Sequence, residues 1–416
     1  MIRRTLLALP VVAATLIPWA GTAASVTRAT TTVRGDTVVR VPSLSATSFR
    51  GPGPYVVGET TYTVHVAVEG YSTPVEVWYP AARKKGREAI YNISHWLPSA
   101  LDAIVKSHPA AIAAVNYPSG GYTGATPANG RFPLVLFSHG APGFRDQSTY
   151  LTSHLASWGF VVAAPDHPSY DLTTALNTYL GTPSTVTDPY ASVQDLLATR
   201  QFFTTGSLGA LKGHVDARRF VVIGHSAGGA SAEELASYES STTEANPLAN
   251  PLAGFIGLSG ASINAPVGVP RTLTGAYATI PTDPGILVTA LNDEIWPSAS
   301  IEQGYNSLTA PHRLIGLAGS GHQVFSDLCQ IAPGEGGLIA LANGLHLPLP
   351  AALTPLATDG CEAPDLPVTT LWPVIDQITV AGARWFLGFD ASTAGLDNLG
   401  ASYPGLVPTD TTSASS

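Results

Sequence analysis

The chain has 416 residues, enough for one large domain or two small ones. Hydrophobic residues make up 45% and charged residues only 12%, so the surface draws on Ser, Thr, Asn, Gly and Pro. The net charge is −9 without a basic stripe, which argues against nucleic acid as a partner; the one short basic run, Arg83, Lys84, Lys85 and Arg87, reads as a solvated loop.

The first 24 residues predict an export signal. Arg3 and Arg4 precede an apolar run from Leu6 to Trp19, and Thr22, Ala23 and Ala24 offer small residues for cleavage. The run holds Pro10 and Pro18 and is short for a membrane span. No stable membrane insertion is expected, and localisation is read as secreted, extracellular or periplasmic. Residues 25–54 read as a flexible mature N-terminus, and 55–404 as a single domain. Thr61 to Val68 alternates as a half-buried strand, with Val75 to Tyr79 as its pairing partner. Residues 81–130 read as an insertion with a helical stretch near Leu97 to Val105.

Buried runs then alternate with helical spacing. Phe132–Phe137, Phe160–Ala164, Phe220–Ile223, Phe255–Leu258, Ile286–Leu291 and Arg313–Leu317 are expected strands. Gln147–Trp158, Tyr190–Phe203 and Gly229–Tyr238 are expected helices. This alternation predicts an α/β fold with a mostly parallel sheet covered on both faces. Residues 329–371 read as a Pro/Gly-rich insertion, Leu371–Phe386 as a last helix, and 405–416 as a disordered tail. The two cysteines, Cys329 and Cys361, are expected to bond in an oxidising compartment and to steady the loop before them. No Cys/His cluster has zinc spacing, so no metal site is expected.

Chemistry concentrates in Gly224-His225-Ser226-Ala227-Gly228, entered by the buried run Arg219–Ile223 and left by a small-residue helix. A serine on such a strand-to-helix turn exposes Oγ and sets the Ala227 N–H at a helix start, where it meets a developing oxyanion. Serine needs a base held by an acid, and in this arrangement the chain order is Ser, Asp/Glu, His. Ile286–Leu291 ends at Asn292-Asp293-Glu294, and Arg313–Leu317 leads to Gly319-Ser320-Gly321-His322. His322 is thus the candidate base and Asp293 the candidate acid, with Asp166, Asp188 and Glu294 as rivals for the acid. In Ser138-His139-Gly140-Ala141-Pro142, Pro142 has no N–H, so Ala141 is the candidate second oxyanion donor; His139 is expected to support the loop.

Leu136-Phe-Ser-His-Gly140 with Phe144-Arg145, Leu155 to His167, and Gly321-His-Gln-Val-Phe-Ser-Asp327 resemble the platelet-activating-factor acetylhydrolase-like family. Pro142-Gly143-Phe144 with Gln147-Ser148, Gly159 to Val162, and Ala290-Leu-Asn-Asp293-Glu-Ile-Trp-Pro297 are similar to bacterial cutinases and polyester hydrolases (dienelactone-hydrolase-like). Where the acetylhydrolases carry their acid, this chain reads Gly257-Leu-Ser-Gly-Ala-Ser262 without a carboxylate, which favours the cutinase-like assignment to Asp293. The resemblance implies an α/β-hydrolase fold and a secreted serine carboxylic-ester hydrolase that works through an acyl-enzyme without metal or organic cofactor. Its partner would be an ester substrate, with lipid, polyester and small ester all open. Phe144, Trp296, Phe325 and Trp372 are candidates for an apolar pocket, with plain core as their alternative. A phospholipid acetylhydrolase-like enzyme, a secreted serine peptidase and a non-catalytic binding protein of the same fold are the rival readings. Oligomeric state is not legible.

Overall fold

The computed structural model describes residues 29–241, 252–262, 273–309 and 311–413. The expected export signal, residues 1–24, lies outside them. The strands are β1 (Thr30–Val33), β2 (Asp36–Val39), β3 (Val56–Val66), β4 (Tyr71–Ala81), β5 (Arg87–Asn92), β6 (Asn116–Thr123), β7 (Phe132–Ser138), β8 (Val161–Pro165), β9 (Val215–His225), β10 (Leu252–Leu258), β11 (Gly285–Ala290), β12 (His312–Leu317) and β13 (Thr409–Thr412). The helices are α1 (Ser99–Lys106), α2 (Pro109–Ala114), α3 (Thr149–Ser157), α4 (Leu172–Tyr179), α5 (Ala191–Thr205), α6 (Ala227–Ser240), α7 (Ser298–Ser307), α8 (Leu338–Gly344), α9 (Leu353–Thr358), α10 (Val368–Phe386) and α11 (Leu399–Ser402).

An eleven-stranded sheet runs in the order β13-β12-β11-β10-β9-β7-β8-β4-β3-β6-β5. Its centre, from β12 to β8, is parallel. Every residue of β7, β8, β10 and β11 is buried. That is why these strands read as continuous apolar runs: a sheet covered on both faces has no solvent side to alternate with. The chain passes from β7 to β8 on one side and then to β9 on the other. The crevice beyond the C-terminal ends of β7 and β9 is therefore a topological switch point, where ligand sites of open α/β sheets form.

Several expectations are corrected. The segment 25–54 is not loose from residue 29 onward: β1 and β2 form an antiparallel hairpin, and Phe49 is fully buried against Trp158. Residues 81–130 supply β5 and β6, so the expected insertion extends the sheet beyond β3. The 329–371 segment carries α8 and α9. The tail is ordered as far as residue 413: β13 adds antiparallel to β12. Arg313 clamps that edge, with its guanidinium 2.6 Å from both oxygens of Asp410. Among the described residues no helix is long and apolar enough to cross a membrane.

Candidate active site

Ser226 stands between the last residue of β9 and the first of α6, with φ at 56°. A non-glycine residue there is strained, and such strain persists only where neighbours fix it. The Ser226 N–H donates to the Leu258 carbonyl of β10 (2.9 Å), and Gly229 N–H donates to the Ser226 carbonyl (2.9 Å). A Cβ on Gly224 would overlap the Gly228 carbonyl, and one on Gly228 the Ser138 carbonyl. The glycines of the motif thus allow β9, α6 and the end of β7 to touch.

His322 follows β12 at the start of a single 3-10 turn, and Asp293 follows β11. The two are buried and meet, with Asp293 Oδ2 2.8 Å from His322 Nδ1. The second carboxylate oxygen accepts the backbone N–H groups of Ile295 (2.9 Å) and Trp296 (2.6 Å), so the turn itself fixes the carboxylate. With Nδ1 bonded to a carboxylate, the proton-accepting nitrogen is Nε2. Ser226 and His322 line one cavity together with Gly140 and Ala141. The rivals for the acid are engaged elsewhere. Asp166 accepts from Trp96 Nε1 (3.0 Å) and from Arg145, Asp188 accepts the Tyr190 N–H ahead of α5, and the Glu294 side chain is exposed.

Three supporting residues escaped sequence reasoning. Gln147 Oε1 accepts the Gly140 N–H (3.3 Å), while its amide nitrogen donates to His225 Nδ1 (2.7 Å). His225 Nε2 then donates to the His322 carbonyl (3.1 Å). One polar chain thereby joins the loop after β7, the serine turn and the histidine loop; burial holds His225 neutral by pushing its pKa well below the usual value. With Gly140 spent on Gln147, Ala141 is the next amide in that loop, and Ala227 is the first residue of α6, where N–H groups have no intrahelical partner. The third is Asp359, whose Oδ2 accepts the N–H groups of His322 (2.7 Å) and Glu294 (3.2 Å). It is delivered by the segment that the Cys329–Cys361 disulfide closes.

His139 supports the loop as expected, with Nδ1 on the Gly140 carbonyl (2.8 Å) and Nε2 accepting the His167 N–H (3.1 Å). Burial lowers its pKa to about 3. A second Ser-His-Asp chain lies behind it: Ser138 Oγ to His167 Nε2 is 2.8 Å and His167 Nδ1 to Asp195 Oδ2 is 2.8 Å. All three side chains are 0% exposed, so this look-alike has no route to substrate and braces the sheet end.

The cavity beyond Ser226 is apolar. It is lined by Leu97, Val105, Leu172 and Leu176, by Leu338 and Leu341 of α8 with Leu345 just after it, and by Leu353 of α9. Phe144 is buried in a side cluster of the core and lines the cavity. Trp296 and Phe325 do not: both are buried in the main core, and Phe325 packs on His225 with ring centroids 5.6 Å apart. Trp372 instead stacks on Tyr150 at 4.2 Å and donates to the Val324 carbonyl. Sequence adjacency to the acid and base loops did not carry side-chain direction.

A parallel sheet that ends, at its switch point, in a strand–serine–helix turn is the architecture of an α/β hydrolase. The chain belongs to the α/β-hydrolase family, whose family model matches residues 135–372. The model of platelet-activating factor acetylhydrolase, isoform II, matches residues 43–188. Cutinase est2 of Thermobifida alba is 29% identical over 120 residues, covering 29% of this chain and 35% of the relative; the chain thus spans about a third of the length of that curated protein. A ferulic acid esterase from Streptomyces cinnamoneus superposes with a TM-score of 0.54 at 21% identity, over 81% of this chain and 92% of that one, which is a likeness of fold.

Proposed function

We propose that this chain is an exported serine hydrolase that cleaves carboxylic esters bearing a long aliphatic chain. The observation that carries the reading is the buried Asp293–His322 pair (2.8 Å) facing the same cavity as Ser226 on its strained turn. In the proposed cycle His322 Nε2 takes the Ser226 proton as Oγ attacks the ester carbonyl. The imidazolium is held by Asp293, and the tetrahedral oxyanion by the Ala141 and Ala227 N–H groups, each worth about 3–4 kcal/mol in comparable sites. His322 then protonates the leaving alcohol and activates water to release the acyl group. These steps need no metal or organic cofactor.

The lining supports the substrate class. No Asp, Glu, Lys or Arg lines the cavity; its polar lining residues are Ser94, Gln147, His225, Ser226, His322 and Gln323 among many aliphatic ones. A peptide would bring N–H and C=O groups that these leucines leave unsatisfied, at a cost of about 1–3 kcal/mol each. A methylene chain instead gains about 0.8 kcal/mol per buried CH₂. An aromatic acyl chain such as ferulate would leave its phenol without a partner among the leucines. The relatives named as cutinase, acetylhydrolase and ferulic acid esterase support ester chemistry in general. The test is a p-nitrophenyl ester series from acetate to laurate: kcat/KM should rise at least about 30-fold between the two- and eight-carbon acyl groups. A series that peaks at acetate contradicts the substrate, and no ester turnover at all contradicts the function.

A further inference from the structure

Beside Trp96, and separate from the serine cavity, lies a polar cavity of ≈ 590 Å³. Glu59 of β3, Glu76 of β4 and Asp146, just after Phe144, converge in its wall, with one carboxylate oxygen from each lying within 4.8 Å of the others. Their exposures are 9%, 5% and 3%. Asp146 makes the decisive observation: it is the most buried of the three, it reaches into the cluster, and its Oδ1 has no hydrogen-bond partner. Glu59 accepts from Ser119 Oγ, and Glu76 accepts from Thr61 Oγ1 (2.9 Å). The buried cation at hand is Arg145, which commits its NH1 to Asp166 at 2.6 Å and stands 3.4 Å from Glu76 and 3.8 Å from Asp146. One guanidinium thus faces four buried carboxylates.

The geometry points to a calcium site formed by Glu59, Glu76 and Asp146. Burying charge without compensation is expensive, and three carboxylates this close repel one another unless a cation stands between them. The donors are all hard oxygens, with no nitrogen or sulfur to favour zinc or copper. Several protein carboxylates around one ion are a calcium donor set, whereas Mg²⁺ keeps most of its waters and takes one or two carboxylates. The cavity leaves room for waters to complete its shell. The ion would tie β3 and β4 to the segment running from Ala141 through Phe144 into α3. It therefore stiffens the oxyanion loop without entering the chemistry.

The test uses the full chain stripped with a chelator and dialysed. Tb³⁺, a calcium substitute, should show emission sensitised by Trp96, whose ring lines the same cavity, and Ca²⁺ should displace it. Ca²⁺ at a hundredfold excess over its dissociation constant should raise Tm by roughly 3 °C. Asp146→Asn and Glu59→Gln should each weaken Tb³⁺ binding at least tenfold. Absence of both sensitised emission and a calcium-dependent Tm rise in the parent protein overturns the site, whether or not the variants fold. Equal Tb³⁺ affinity in parent and both variants overturns it too, since the ion then binds elsewhere.

Discussion

Asp293→Asn isolates the step on which the proposed mechanism turns. In the parent, Asp293 Oδ1 is held by two backbone N–H groups and Oδ2 receives the His322 Nδ1 proton at 2.8 Å. The amide keeps the size and, with its carbonyl oxygen on the Ile295 and Trp296 N–H groups, turns its NH₂ toward Nδ1. Nδ1 must then accept, the proton moves to Nε2, and the nitrogen facing the serine can no longer act as a base. The comparable substitution in a serine protease costs about 10⁴ in kcat, or about 5.4 kcal/mol at 1.36 kcal/mol per decade. Glu294→Gln is the control, because the Glu294 side chain is exposed and only its backbone N–H is used; its kcat should stay within about threefold. Both variants are to be assayed on p-nitrophenyl octanoate, with circular dichroism to show that the fold persists. A loss below tenfold in folded Asp293→Asn, or an equal loss in Glu294→Gln, refutes the assignment of the acid.

Replacing both Cys329 and Cys361 with Ser frees a loop whose ends lie 32 residues apart, a constraint worth roughly 3–4 kcal/mol by chain entropy. Heat inactivation should come at lower temperature than loss of the bulk helix signal; unchanged inactivation denies the bond its role in steadying the histidine loop. Asp359→Ala strips the acceptor from the His322 and Glu294 N–H groups and should lower kcat about tenfold with little change in KM; a pure KM effect would show that the histidine loop stands without it. Glu233 is fully buried with one oxygen unpartnered, and burial raises its pKa from 4.5 to about 7. The unfolded chain releases that proton first, so between about pH 4.5 and 7 stability falls as pH rises, by about 3 kcal/mol in all. Glu233→Gln, which keeps an acceptor for the Ser262 N–H, should therefore gain Tm relative to the parent at pH 8 more than at pH 5. A gap that does not widen with pH would mean that Glu233 ionises in the folded protein as readily as in the unfolded chain.

Much of the sheet was legible because its strands are buried on both faces and their apolar runs need no alternation. The serine turn was legible because its glycines are dictated by backbone contacts between β7, β9 and α6. Strand ends were less so: β9 begins at Val215, five residues before its apolar run, through a polar stretch that holds Asp216 and Arg219. β13 escaped because Thr-Asp-Thr-Thr has no apolar face; an ion pair to Arg313 holds it, and periodicity does not register that. Gln147, His225 and Asp359 escaped for a related reason, since each acts through two hydrogen bonds across 7 to 97 residues of sequence. The leucines of α8 and α9 were visible, but their Pro/Gly-rich flanks hid that two short helices turn them onto one cavity wall.

The most direct measurement is covalent labelling with a fluorophosphonate, followed by peptide mapping of the modified serine. The account predicts one equivalent of adduct on Ser226, lost in Ser226→Ala and strongly slowed in His322→Ala, with Ser138 in the second Ser-His-Asp chain unmodified. No adduct in the folded protein, or an adduct at Ser138 or any other serine with Ser226 untouched, would contradict it.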